Sequence, residues 1–482
     1  MSMGDQQLHQ SDIVRGQGIA TINQPDLSKL GVCTKEVEDA VFDSDPGPAD
    51  PTRYSKLRGR LEAIRDRLPP LYRDGFVSPY IETLDGLRET GFTHILINDP
   101  SREGMAGLLL DGAQAILQHG EEYQSQATDA FQEVVSDLYD GFLSAEDRQG
   151  VKMPDKGVIP PLVKWGCPDF GPYTWPADAT EVLGVKAGIV SLPPYNSRQG
   201  LLAWAALGHE TGGHDILGAD NGLREELAAA VYASVVTQDE RLAEYWSERI
   251  DETASDVMGI LNMGPAAGVG LIGYFRGLNA AYGGASKLRN DGPSDDPHPA
   301  DILRGYLAAE TITLLKFTGK TLWAKSVLSE TEKDVEQIVV AETEIDSAKA
   351  HASAKAVAKV IATHKCEALE GHSLIDIQNW RDPDERHVRK VRIALRNSAP
   401  LKDADLKDIY ATHVVAAAVV EAVANGNVAS LFKQMLGVLK TMHDKNPSWG
   451  PLFVRHPGNV VLKLGYNRHS RPLTSSTIAA AE

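Results

Sequence analysis

The chain has 482 residues, and its 66 acidic side chains against 48 basic ones give a formal net charge of −18, which argues against nucleic acid or an anionic membrane as the main partner. Its hydrophobic content of 42% is enough for ordinary globular cores in two or three domains. Cys33, Cys167 and Cys366 are odd in number, far apart and without C-x-x-C spacing; no disulfide framework is expected, and a reducing, cytoplasmic setting is. The N-terminus lacks a basic region followed by an apolar run, and no stretch is apolar enough to span a bilayer, so neither a signal peptide nor a membrane anchor is expected.

Residues 1–50 are polar and turn-rich, with acids at Glu36, Glu38 and Asp39 and again from Asp43 to Pro48, and read as a flexible arm. From Tyr54 to Leu68 apolar residues recur at helical spacing, Leu57, Leu61, Ile64 and Leu68. Thr93 to Asn98 reads as a short strand, and helices follow through Leu143. Residues 51–195 are thus expected to form an N-terminal lobe walling one side of a cleft. The stretch 150–180 is rich in Pro, Gly and aromatic residues and reads as a binding loop or a packed connection. Val182 to Leu192, with its β-branched residues and glycines, suits an edge strand.

The densest chemistry lies in His209-Glu210-Thr211-Gly212-Gly213-His214. Two imidazoles can hold Zn²⁺ while a carboxylate between them takes a proton from water. The familiar helical motif places its histidines four apart; here they are five apart, which on a regular helix turns the second ring roughly 140° from the first at about 100° per residue. A π-bulge would restore the shared face, and Gly212 and Gly213 sit where it would fall. A helix expected from Glu244 to Leu261 carries Asp251-Glu252-Thr253-Ala254-Ser255-Asp256, with Glu252 and Asp256 four apart on one face, one placed to bind a metal and one to orient an imidazole. Asp220 lies six residues beyond His214, a spacing that resembles the third-ligand position of metzincin-type enzymes, and that resemblance makes it an alternative third ligand.

The six-residue motif resembles H-E-x-x-G-H of the dipeptidyl peptidase III group of zinc peptidases, and the acidic motif resembles the stretch that supplies their third ligand and the Asn-Glu-x-x-Ser-Asp pattern of thermolysin-like gluzincins. The resemblance implies His209, His214 and Glu252 as zinc ligands, Glu210 as general base and Asp256 as the carboxylate steadying a zinc-bound histidine. It further implies a later His or Tyr that polarises the substrate carbonyl, for which His298 comes first and Tyr306 or Tyr282 next, and an edge strand serving as a peptide platform, for which 182–192 is the candidate. Arg304 could anchor a substrate carboxylate or pair with Asp301.

From Thr311 onward the pattern is helical, with a long charged, alanine-rich run from Val327 to Thr363 and a buried face at Val414 to Val420 within Leu401 to His443. The single histidines His364, His372, His387 and His413 read as surface or packed residues, and the tail after Leu464 as loose. The expectation is an α+β, predominantly α-helical fold of zincin-like, two-lobed form with the metal site in the cleft: an arm (1–50), an N-terminal lobe (51–195), a helical zinc-binding region (196–320) and a C-terminal helical region (321–482). The expected activity is that of a zinc metallopeptidase acting on a peptide. The alternatives are a metal enzyme for a non-peptide small molecule, which a closed aromatic pocket would favour, and a catalytically silent binding module, against which the intact Glu210 argues.

Overall fold

The computed structural model describes residues 25–450, apart from 44, 144–147, 149, 153, 157, 158 and 169, together with the backbone of two paired strands, Phe453–His456 and Asn459–Leu462. The expected arm is corrected in part. Residues 1–24 lie outside the described residues, but Leu30–Val41 is a helix, α1, burying Leu30, Cys33, Val37 and Ala40. These apolar residues recur at three and four amid the acids that made the segment look unstructured. Glu36 of this helix accepts hydrogen bonds from the backbone N–H of Gly200 and Leu201, at 2.6 and 3.2 Å, and so caps the helix that leads into the histidine motif.

Helices α2 (Tyr54–Ile64), α3 (Ser78–Asn98), α4 (Met105–Gly120) and α5 (Ser125–Phe142) follow. The strand expected at Thr93 to Asn98 is instead the second half of α3, which resumes after a break at Arg88 (φ 55°, ψ 178°). Strands β1 (Leu162–Trp165), β2 (Tyr173–Trp175) and β3 (Ile189–Leu192) form one small sheet in the order β1-β3-β2, with β1 parallel and β2 antiparallel to β3. The strand expected as an edge is therefore the central one. Ile189 to Leu192 are buried throughout, as suits a strand paired on both sides, and β2 is an edge.

Next come α6 (Leu201–Ala205), α7 (Leu223–Val235), α8 (Glu240–Glu248), α9 (Ile250–Met263) and α10 (Pro265–Gly283). The helix expected from Glu244 to Leu261 is thus two, parted at Arg249, whose guanidinium donates to the carbonyls of Tyr245, Pro293, Ser294 and Asp296. Helix α11 (Asp301–Leu314) packs on α9 and α10. The run from Val327 to Thr363 is not one helix: α12 (Lys320–Glu332) and α13 (Ser347–Thr363) flank a hairpin, Ile338–Val340 with Thr343–Ile345. Helices α14 (Asp382–Arg396), α15 (Ala411–Asn425) and α16 (Val428–His443) complete the described core, and the tail after Leu464 lies outside the described residues.

The fold is mostly helical, at 66%, with small sheets. Its buried apolar residues fall into two clusters: a smaller one built from α2 to α4 with Leu162, Leu183 and Ile189, and a larger one holding α1, α5 and nearly everything from β3 onward. Close helix approach is bought with glycine: a Cβ on Gly273 would meet Leu202 and Leu30, and one on Gly277 would meet Val37, so α10 lies directly on α1 and α6. Among the described residues no helix is long and apolar enough to cross a membrane.

Candidate metal centre

Past α6 the chain makes a short helical turn, Leu207–His209, and then a π-helical turn, Glu210–Asp215. The wider turn accommodates the extra residue and brings both imidazoles to one face, with His209 Nε2 and His214 Nε2 3.0 Å apart. Helix α9 crosses this turn at contact distance. A Cβ on Gly213 would lie 2.1 Å from Ser255 Cβ and Oγ, and one on Gly208 would lie 3.1 Å from Gly259 Cα. The crossing sets Glu252 over the pair: Oε2 is 3.4 Å from His209 Nε2, and Oε1 is 3.4 Å from His214 Nε2. His209, His214 and Glu252 form one of two such clusters of potential ligand atoms among the described residues.

Each imidazole is also held from behind. His209 Nδ1 lies 2.8 Å from Asp256 Oδ1 and His214 Nδ1 lies 2.6 Å from Asp251 Oδ2. A carboxylate can only accept, so each Nδ1 carries a proton and, in the neutral ring, each Nε2 presents a lone pair inward. Two imidazole lone pairs and a carboxylate then face one another in a buried space, an arrangement of acceptors that demands positive charge at its centre. Glu252 Oε2 has no hydrogen-bond partner in the structure. The electrostatics agree. Burial works against charge on both histidines, but Asp256 beside His209, Asp251 beside His214, and Glu252 beside both outweigh it and hold each ring's pKa above the ordinary value. Burial likewise works against an ionised Glu252, yet the two histidines and Arg304 hold its carboxyl well below the usual range.

Arg304 pairs chiefly with Asp256, not with Asp301. From α11 it donates to both oxygens of Asp256, at 2.7 and 2.8 Å, and lies 3.4 Å from Glu252 Oε2. This buried fork fixes the carboxylate that fixes His209. Asp301 accepts instead from Asn279 and from the backbone N–H of Arg289.

The group borders a cavity of about 630 Å³. Glu210 lines it, between the histidines as expected, and accepts a hydrogen bond from Thr174 Oγ1 of β2 at 2.9 Å. His298 also lines it, with Nε2 3.5 Å from Glu252 Oε1 and Nδ1 3.0 Å from Asp296 Oδ1. Tyr306 is corrected: two residues beyond Arg304 it points to another side of α11, where it is buried and stacks on His351 with ring centroids 4.7 Å apart. Tyr282 is exposed and does not line the cavity. Asp220 is corrected as well. Both of its oxygens are held by the buried guanidinium of Arg148, which leaves it as half of a structural ion pair.

Sequence reasoning missed three contributors. Asp251 was visible as the residue before Glu252 but had no role assigned; on a helix the residue before a ligand can reach the neighbouring imidazole. Thr174 and Tyr274 carried no local signal, because the topology alone brings them here. Tyr274, on α10, lines the same cavity, and its almost wholly buried hydroxyl makes no hydrogen bond. Burial, with Tyr195 and Glu210 nearby, pushes its pKa well above that of an ordinary tyrosine. Comparison with known proteins returns no matching family model, no matching curated protein and no matching solved structure.

Proposed function

We propose that the chain is a zinc-dependent hydrolase of gluzincin type that cleaves peptide bonds, with His209, His214 and Glu252 as the ligands. The observation that carries this reading is the convergence of two Nε2 lone pairs and a carboxylate, each imidazole oriented by its own acidic partner. Two imidazoles and one carboxylate suit Zn²⁺ and leave a position for water. When bound, the ion supplies Lewis acidity that makes a water acidic enough to be deprotonated near neutral pH.

The chain's own residues then divide the work. Glu210, held by Thr174, takes the proton from the attacking water and hands it to the leaving amine. His298 and the unpartnered hydroxyl of Tyr274 are the donors offered to the developing oxyanion. Asp256, Asp251 and Arg304 keep the ligands in place. Strand β2 borders the cavity through Tyr173 and Thr174 and, among the described residues, has one edge unpaired, which supports an extended peptide as substrate over a compact small molecule. The two apolar clusters support a two-lobed, zincin-like arrangement with the cavity between 171–174 on one side and α9 to α11 on the other. Three free cysteines fit a cytoplasmic setting.

The decisive experiment is Glu210→Gln, assayed with a peptide library beside a metal determination. Turnover should be abolished with zinc retained, because the carboxamide keeps the shape and loses the base. Surviving activity removes Glu210 from its role.

A further inference from the structure

A second place in the molecule gathers metal-ligating side chains, and none of them lines the cavity described above. Glu226 lies in the first turn of α7. His364 directly follows α13, and Cys366 comes two residues later, at the start of a short loop closed by the backbone bonds Cys366 N–H to His372 O and Gly371 N–H to Cys366 O. One ligand atom from each residue lies within 4.8 Å of the others. His364 Nε2 is 3.5 Å from Glu226 Oε1, nearly the spacing found between imidazole and carboxylate at the first centre.

The Glu226 carboxylate does not drift: it accepts from the backbone N–H of Glu367 at 2.7 Å and of Ala368 at 3.1 Å. Capping the turn that starts at Glu367 accounts for those two bonds. It does not account for an imidazole and a thiol brought to the same carboxylate. Cys366 is fully buried, and its thiol donates a long, weak hydrogen bond of 3.7 Å to the His364 carbonyl. A partly exposed His364 gives the cluster an opening to solvent.

We propose that Glu226, His364 and Cys366 form a second metal site, selective for Zn²⁺, that clips the start of α7 to the chain leaving α13. Thiolate, imidazole and carboxylate together are a borderline-soft donor set that suits zinc and not magnesium or calcium. Binding releases the Cys366 thiol proton to solvent. The role is structural: α7 packs against α8 and α13, and the metal would tie the Glu226 carboxylate, which already caps the turn at Glu367, to both side chains of the segment leaving α13.

This inference does not depend on the hydrolase reading, and one set of zinc titrations separates them. The full chain, stripped with chelator and titrated with zinc alone, is compared with His364→Ala, Cys366→Ser, His209→Ala and the double variant His364→Ala/His209→Ala. Two equivalents in the wild type, one in each single variant and none in the double variant is the expected result. A single equivalent lost with His364→Ala but kept with His209→Ala sustains this site and removes the catalytic one. A single equivalent kept with His364→Ala overturns the second site, and so does wild-type chain without zinc. Should Cys366→Ser fail to fold, His364→Ala decides alone, because its partly exposed ring can be lost without opening the core. Thiol reactivity provides a second readout: zinc should slow modification of Cys366 at least tenfold relative to the stripped chain, and equal rates count against the site.

Discussion

Gly213→Ala tests the geometry of the centre most directly, since the glycine before the second histidine is where the π-turn touches α9. An added Cβ would stand 2.1 Å from Ser255 Cβ and 2.2 Å from Ser255 Cα. Non-bonded carbons settle at about 3.5–4.0 Å, so the two elements must part by more than about 1 Å. Ser255 lies one helical turn beyond Glu252 on α9, and the same displacement carries the carboxylate away from His209 and His214, now 3.4 Å from each. Metal sites tolerate ligand errors of only about 0.2 Å. The overpacking should cost about 1–3 kcal/mol of stability, and zinc affinity should fall at least tenfold. Thermal melts of the stripped protein and zinc competition against a chromophoric chelator measure the two effects. Gly212→Ala is the control: its Cβ would come closest to Asn262 Nδ2, at 3.1 Å, the far end of a side chain, and zinc affinity should be kept. Wild-type zinc affinity in Gly213→Ala would refute the claim that close approach of the two elements builds the site.

Three further outcomes are expected. Tyr274→Phe should lower kcat by about 10²–10³ with zinc retained, while stability holds or rises because an unsatisfied buried hydroxyl is removed; unchanged kcat takes Tyr274 out of the reaction. Asp220→Ala should keep its zinc and lose about 3–5 kcal/mol of stability, because it strands the buried Arg148 charge, and metal loss in this variant would restore Asp220 as a ligand. His119, packed against Trp449 and near His443, has its pKa lowered by burial from 6.5 to about 3. The folded state thus disfavours its proton, so the stability it contributes is present above pH 6.5 and is lost as pH falls toward 3; at pH 5 the loss is about 2 kcal/mol. His119→Leu should flatten the stability profile in that window, and an unaltered profile between pH 6.5 and 5 excludes His119 as its source.

The candidate ligands His209, His214 and Glu252, and the orienting Asp256, were legible because their spacing is local and resembles a known motif, and the one misfit, five residues between the histidines, itself predicted the π-turn found at Glu210–Asp215. The groups around the substrate space were not legible in this way. Thr174 arrives through strand pairing, Tyr274 through the packing of α10, and the choice of Arg304 over Tyr306 as the inward residue of α11 depends on which side of that helix meets α9. At the N-terminus the acids of α1 hid a regular apolar stripe, and one of them, Glu36, is a cap for a distant helix. The edge and centre of the small sheet were exchanged for a related reason: a four-residue strand does not reveal how many neighbours it has.

The oddities of the motif reduce to a single physical requirement. Glu252 must come within ligand distance of two imidazoles while its helix still packs tightly, and side chains at the crossing would hold the helices apart. Glycine at 213 against Ser255, and Gly208 against Gly259, remove that barrier. The reading of Gly213 as freedom for the π-turn is therefore incomplete: neither it nor Gly212 has a positive φ, and what Gly213 contributes is the missing volume of a side chain. The wider turn follows from the same demand, since it turns His214 toward α9 beside His209. Asp251 and Asp256, one residue before and four after Glu252, then orient both rings from the helix that carries the candidate third ligand. One helix thus carries the candidate ligand and both orienting carboxylates. Any change that moves α9 as a body should therefore weaken the metal more than removal of either orienting carboxylate alone.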